Sequence, residues 1–276
     1  MLVFCMLILL LSDAIFAGSV SDTSVSGLND KKFGVFIGLD QEELKETGGK
    51  IDKYKTIVID GQSFSKSQIR KWKSEGHIVY SYLNIGSIST SRSYYKDFKD
   101  IKLKAYNHWP GEYWMDVSKK AWQKKMIEVG KSLTDKGVDG LFIDNTDVYY
   151  QYHKNSIYSG LENIISGLRK YTSRIIINGG DVFVKKLIDR GKIKLIYGVN
   201  QESVFSRIVD YEKNIFKKQT KYNRTYYQKY LKRCKKAGLK VYVIEYTKDY
   251  ALAKSIKSYC KKAGYRYYMT SNINLE

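Results

Sequence analysis

One arrangement of apolar and polar positions recurs along this chain. An amphipathic stretch with helical spacing is followed by a glycine, then by a short β-branched or aromatic run that ends in polar residues. It runs from Glu75 to Asn84, from Lys136 to Asp144, from Arg190 to Glu202, from Ala237 to Tyr246 and from Ala263 to Asn272. A glycine there fits the position just past a helix, where the backbone turns left-handed without strain. The runs that follow lack strict alternation, the pattern of strands buried on both faces of a parallel sheet. Phe33–Leu39, Thr56–Asp60 and Arg174–Gly179 read as three more strands, making eight.

Helical patterns fall between them at Ser65–Ser74, Ser118–Lys136, Ile157–Tyr171, Val182–Asp189, Lys221–Ala237 and Asp249–Ala263, with a weaker one at Glu42–Gly49. Eight strands alternating with helices over about 245 residues predict an α/β fold, a single (β/α)8 TIM barrel. An open doubly wound sheet fits less well, because no Gly-rich phosphate loop follows the first strand.

In such a barrel the C-terminal strand ends share one face, and active sites sit there. The ends supply Asp60 on strand 2, Tyr82 and Asn84 on strand 3, Asp144 and Asp147 on strand 4, and Asn178 on strand 5. Glu202 follows on strand 6, with Glu245 and Tyr246 on strand 7. Asp60, Asp144, Glu202 and Glu245 are therefore predicted to face one bowl. Carboxylates crowded together must take up a proton or bind a cation. A protonated acid beside an ionised one is what glycoside hydrolysis requires. Taken singly, each acid has a plainer reading: Asp147 as a helix cap or substrate hydrogen-bonder, Asp60 as a turn residue.

The loop from Asn107 to Asp116 carries Trp109 and Trp114, and Tyr149, Tyr150 and Tyr152 follow strand 4. Flat rings beside acids suit stacking on sugar rings. Packing of Tyr113 and Trp114 into the barrel is an equally good reading. His77, His108 and His153 are scattered without metal-ligand spacing, and no metal or cofactor is expected.

The chain of 276 residues is 43% hydrophobic, enough for one large core, and has one proline and no linker. Leu2–Leu11 is apolar but too short to span a membrane. With small residues near Ala17 it reads as a signal peptide over 1–17, ahead of a flexible leader at 18–30 and the catalytic domain at 31–276. An uncleaved anchor is the alternative. Secretion is expected, with no transmembrane segment left after cleavage. Cys234 and Cys260 close two helices in the same Cys-Lys-Lys-Ala-Gly sequence and read as free thiols. The net charge of +20 is concentrated in Lys213–Lys240. It suggests an anionic wall or matrix as a partner, or a merely solvated helix face. Nucleic acid is disfavoured, since no recognition motif accompanies the charge.

Four blocks resemble glycoside hydrolase family 114, the endo-α-1,4-polygalactosaminidase-like barrels. They are Tyr82-Leu-Asn84-Ile-Gly86-Ser, Trp109-Pro-Gly-Glu-Tyr-Trp114-Met-Asp116-Val, Gly137-Val-Asp139-Gly-Leu-Phe-Ile-Asp144-Asn145-Thr-Asp147-Val-Tyr149 and Asn200-Gln-Glu202-Ser. The resemblance spans roughly Phe33 to Asn272. It implies Asp144 and Glu202 as the catalytic pair, and an α-1,4-linked galactosamine polymer as the polysaccharide substrate. In the retaining arrangement Asp144 is the nucleophile and Glu202 the general acid/base. Asp60, Tyr82, Asn84, Trp109, Trp114, Asp147, Tyr149, Asn178, Glu245 and Tyr246 are then expected to bind substrate. Glu245 stands where the family usually has Asp. The expectation is a secreted endo-acting glycosidase; the alternative is a non-catalytic barrel that binds carbohydrate or an anionic surface.

Overall fold

The computed structural model describes residues 24–46, 49–107 and 109–275. The expected signal segment, the first part of the leader and His108 lie outside these.

Eight parallel strands form one sheet in sequence order. They are β1 Gly34–Phe36, β2 Thr56–Ile59, β3 Ile78–Asn84, β4 Gly140–Asp144, β5 Ile175–Asn178, β6 Gly198–Glu202, β7 Lys240–Tyr246 and β8 Arg266–Thr270. Each corresponds to a strand read from the sequence. Around them lie α1 Gln41–Glu46, α2 Lys66–Ser74, α3 Lys120–Lys136, α4 Asn155–Leu168, α5 Asp181–Asp189, α6 Lys221–Lys236 and α7 Tyr250–Ala263. The sheet curls into a nearly closed TIM barrel. Gly76, Gly137, Gly191, Gly238 and Gly264, which end the repeated phrase's helical stretches, all take positive φ.

Among the described residues no ladder joins β1 to β8. The seam is closed in part by a side chain: Asn29 Nδ2 donates to the Met269 carbonyl (2.9 Å), and the Met269 N–H donates to Asn29 Oδ1 (2.6 Å). One amide thus does the work of an extended neighbour. Leu28 is buried beside it, so packed structure reaches into the segment assigned to the leader.

Two insertions were not foreseen as sheet. Ser87–Ser89, Lys102–Ala105 and Glu112–Met115 form a three-stranded antiparallel sheet within the long connection after β3. Ser206–Asp210 and Ile215–Lys218 form a hairpin after β6. Both insertions rise from the C-terminal end of the barrel and become its walls. Cys234 and Cys260 are free and fully buried, and burial pushes both thiols up, Cys234 to about 12. No described helix is long and apolar enough to cross a membrane.

Candidate active site

The C-terminal mouth holds a cavity of about 740 Å³. Its floor is a hydrogen-bonded chain across five adjacent strands. Tyr82 on β3 donates its hydroxyl to Asp144 Oδ2 on β4 (3.0 Å). Asn178 on β5 donates from one nitrogen to Asp144 Oδ1 (2.9 Å) and to Glu202 Oε1 on β6 (2.7 Å). Tyr246 on β7 donates to Glu202 Oε2 (2.6 Å). Every oxygen of the two carboxyls thus has a donor. Carboxylates only accept, so the Asn178 nitrogen must face them. Asn200, fully buried on β6, holds that orientation by donating to Asn178 Oδ1 (2.6 Å).

Local backbone places these groups at the rim. Asn145, Gly179 and Ser203, each directly following a floor residue, have φ of 61°, 62° and 56°. The left-handed residue turns the chain off the barrel and leaves the preceding side chain at the strand end. Such a conformation is costly for Ser203 and persists where surrounding structure enforces it. Gly86 serves the same end, since a Cβ there would lie 1.7 Å from the Asn145 carbonyl oxygen.

The two carboxyls share an electrostatic problem. Burial, and then the charge of Glu202, push the Asp144 carboxyl up to about 7, against the pull of Tyr82 and Asn178. Asp147, which accepts from the Gly180 N–H (3.0 Å), is pushed by burial to about 6. The Tyr82, Tyr106 and Tyr246 hydroxyls are raised by burial and neighbouring acids and stay protonated donors.

The structure brings Asp60, Tyr82, Trp109, Asp144, Asp147, Asn178, Glu202 and Tyr246 to the cavity. Asp60 is not a free acid there, because Arg92 is bound to it at 2.8 Å. Four other expected residues lie elsewhere. Glu245 is fully buried and accepts from the N–H groups of Val204, Phe205 and Ser206 and from the Ser206 hydroxyl, pinning the start of the hairpin after β6. Consecutive strand residues face opposite sides, so Glu245 and Tyr246 cannot both face the bowl.

Asn84 shapes its own loop, accepting from Gly86 and Ser87 N–H groups and donating to Ser87 Oγ and Glu112. Trp114 is buried with its ring 4.4 Å from that of Tyr106, as the packing reading had it. Tyr149 is buried under Lys186, whose ammonium donates to its hydroxyl.

Sequence reasoning missed Arg92, Tyr106, Glu112 and Tyr211. Glu112 lay within the aromatic motif, and Tyr106 just before it. Nothing in the sequence around Arg92 points to Asp60, 32 residues earlier. Trp109 from the first insertion and Tyr211 from the second meet edge to face at 6.4 Å and join the two walls. Among the described residues, Asp52, Glu75 and His77 bring ligand-type atoms within 4.8 Å of one another. They lie before β2 and β3, away from the bowl, and two of the three are exposed.

The model of glycoside-hydrolase family GH114 matches residues 39–272. No curated protein matches the sequence. Among solved structures, the glycoside hydrolase domain of PelA from Pseudomonas aeruginosa superposes with a TM-score of 0.73 at 15% identity, covering 88% of this chain and 95% of that one. Ega3 from Aspergillus fumigatus, in complex with galactosamine, gives 0.69 at 18% identity, covering 92% and 94%. At these identities the likeness is one of fold.

Proposed function

This chain belongs to glycoside-hydrolase family GH114, and on that premise we propose that it cleaves α-1,4-linked galactosamine polymers internally, with retention, using Asp144 and Glu202. One observation carries the reading: a single amide nitrogen, that of Asn178, bridges the two carboxyls. Their nearest oxygens are then no farther apart than the two bonds laid end to end, about 5.6 Å. Retaining glycosidases hold their carboxyls about 5–5.5 Å apart, whereas inverting ones leave about 6.5–9.5 Å for a water.

In the reactive form Asp144 is ionised and Glu202 carries a proton. Glu202 gives it to the departing glycosidic oxygen while an Asp144 oxygen attacks the anomeric carbon, so the C–O bond to the leaving sugar breaks as the glycosyl ester forms. Glu202, now ionised, takes a proton from water, and the water oxygen displaces Asp144. Tyr82 and Asn178 keep the Asp144 oxygens oriented, and Tyr246 does so for Glu202.

The charge of the bowl supports an amine-bearing substrate. Asp60, Glu112, Asp144, Asp147 and Glu202 line it against one cation, Arg92. A field of that sign concentrates cationic sugar chains, whatever the net charge of the whole protein. The galactosamine in the Ega3 complex is consistent with this choice. Export is part of the proposal and rests on the apolar run Leu2–Leu11 and the small residues near Ala17.

The test is to treat partly deacetylated α-1,4-galactosamine polymer with the purified protein and size the products. A ladder of oligosaccharides is expected, with the α anomer formed first by NMR, and none from Glu202→Gln. No new reducing ends, or equal rates from Glu202→Gln, would sink the reading.

A further inference from the structure

A concavity larger than the bowl lies at the opposite end of the barrel. A basin of about 1050 Å³ opens at the N-terminal strand ends. Eight of its lining residues are Lys or Arg, against one acid, Asp30, which is engaged by Arg266 at 3.5 Å. Lys31, Lys32, Arg174, Lys240, Lys257 and Lys261 have no ion-pair partner among the described residues. Like charges gathered on a concave wall repel one another, and a bound polyanion relieves that repulsion.

The floor is built, not incidental. Tyr80 and Tyr242 are only 2% and 8% exposed and line the basin, and neither hydroxyl has a hydrogen-bond partner among the described residues. Both rings line the basin, so their hydroxyls are open to it and can donate to an acceptor seated among the cations. Tyr197 and Arg174 lie close enough to bear on the ionisation of both Tyr80 and Tyr242. Glycine makes room for these rings. A Cβ at Gly140, which opens β4, would lie 2.4 Å from the Tyr80 ring, and one at Gly198, which opens β6, 3.3 Å from that of Tyr242.

We propose that this N-terminal basin binds a flexible polyanion carrying repeated phosphate esters, a polyol-phosphate chain. One phosphate would leave most of the cations and most of the volume unused. Hydroxyl and guanidinium donors converging from several directions can meet the oxygens of a tetrahedral phosphate. Among Tyr80, Tyr197, Tyr242, Tyr265 and Tyr267, only Tyr197 is exposed, so the basin offers little flat surface for the base stacking that single-stranded nucleic acid uses. The site is separate from the bowl by roughly the 20 Å length of a seven-residue strand. A protein held through the basin would leave its bowl facing outward.

The experiment titrates a synthetic poly(glycerol phosphate) oligomer against the protein over a salt series, with orthophosphate, oligothymidylate and polygalacturonate as comparison probes. The oligomer is expected to bind tightest, with affinity falling as salt rises. The double reversal Arg174→Glu with Lys240→Glu, at two exposed positions, is expected to weaken binding at least tenfold and flatten the salt slope by roughly 0.7 per cation removed. Tyr80→Phe with Tyr242→Phe should weaken it several-fold at unchanged melting temperature. Hydrolysis of soluble polymer should be unaffected in both variants.

The proposal is overturned if the oligomer does not bind, or if oligothymidylate or polygalacturonate binds more tightly. It is equally overturned if reversing Lys229 and Lys232 on the outer face of α6 weakens binding as much as reversing the basin pair.

Discussion

Asn178→Ala isolates the contact on which the proposed chemistry turns. The side chain gives one hydrogen to Asp144 at 2.9 Å and one to Glu202 at 2.7 Å. A hydrogen bond to a charged group is worth about 1.5–3 kcal/mol, which corresponds to roughly one to two pH units in the accepting carboxyl. In the intact protein the Asp144 carboxyl stands at about 7 because burial and Glu202 outweigh the pull of Tyr82 and Asn178. Without Asn178 it rises further. Asp144 must be ionised to attack, so activity climbs as pH rises through that value, and the acidic limb of the rate profile must move to higher pH in the variant. A shift of about one unit or more is expected, with kcat/KM down at least about tenfold near pH 6 and partly recovered near pH 9. The assay is release of reducing ends from the galactosamine polymer across that range, with a thermal melt to confirm the fold. An acidic limb that coincides with the wild type, or moves to lower pH, would refute the reasoning.

Three further outcomes follow from the same geometry. Tyr246→Phe removes the 2.6 Å bond to Glu202 and should lower kcat about tenfold with KM little changed; an unchanged kcat would remove Tyr246 from the machinery. Glu245→Ala leaves three buried N–H groups and the Ser206 hydroxyl without an acceptor. At about 1–3 kcal/mol for each orphan it should cost at least about 3 kcal/mol in urea unfolding, and a loss below about 1 kcal/mol would contradict the pinning role. Asp144 is raised on folding from 3.8 to about 7, so its contribution to stability is fully present below about pH 4 and is lost as pH rises through 7. Asp144→Asn should therefore gain in melting temperature over the wild type between pH 5 and pH 8 while losing activity, and a difference constant with pH would count against the shift.

The barrel was legible because its causes are local. Burial on both faces writes itself as short apolar runs, and the left-handed helix ends require glycine, so Gly76, Gly137, Gly191, Gly238 and Gly264 marked the rhythm of the fold. Asp144 and Glu202 were legible because a carboxylate at the end of an apolar strand has nowhere to go but the rim. The two tryptophans separated only in space: Trp109 reaches the bowl, while Trp114 packs against Tyr106 within the insertion.

The sequence by itself therefore determined the count and order of the barrel strands and the two acids at the floor. Tertiary structure alone decided which acids are left open to the bowl. Four carboxylates at strand ends looked equivalent along the chain, yet Arg92 arrives from a distant loop to occupy Asp60, and four donors from the hairpin after β6 enclose Glu245. Strand alternation limits adjacent residues to opposite faces, but which face is the bowl depends on how the whole sheet curls. The chemistry of a carboxyl depends on charges and donors within a few ångströms, and the chain brings those from far along its length.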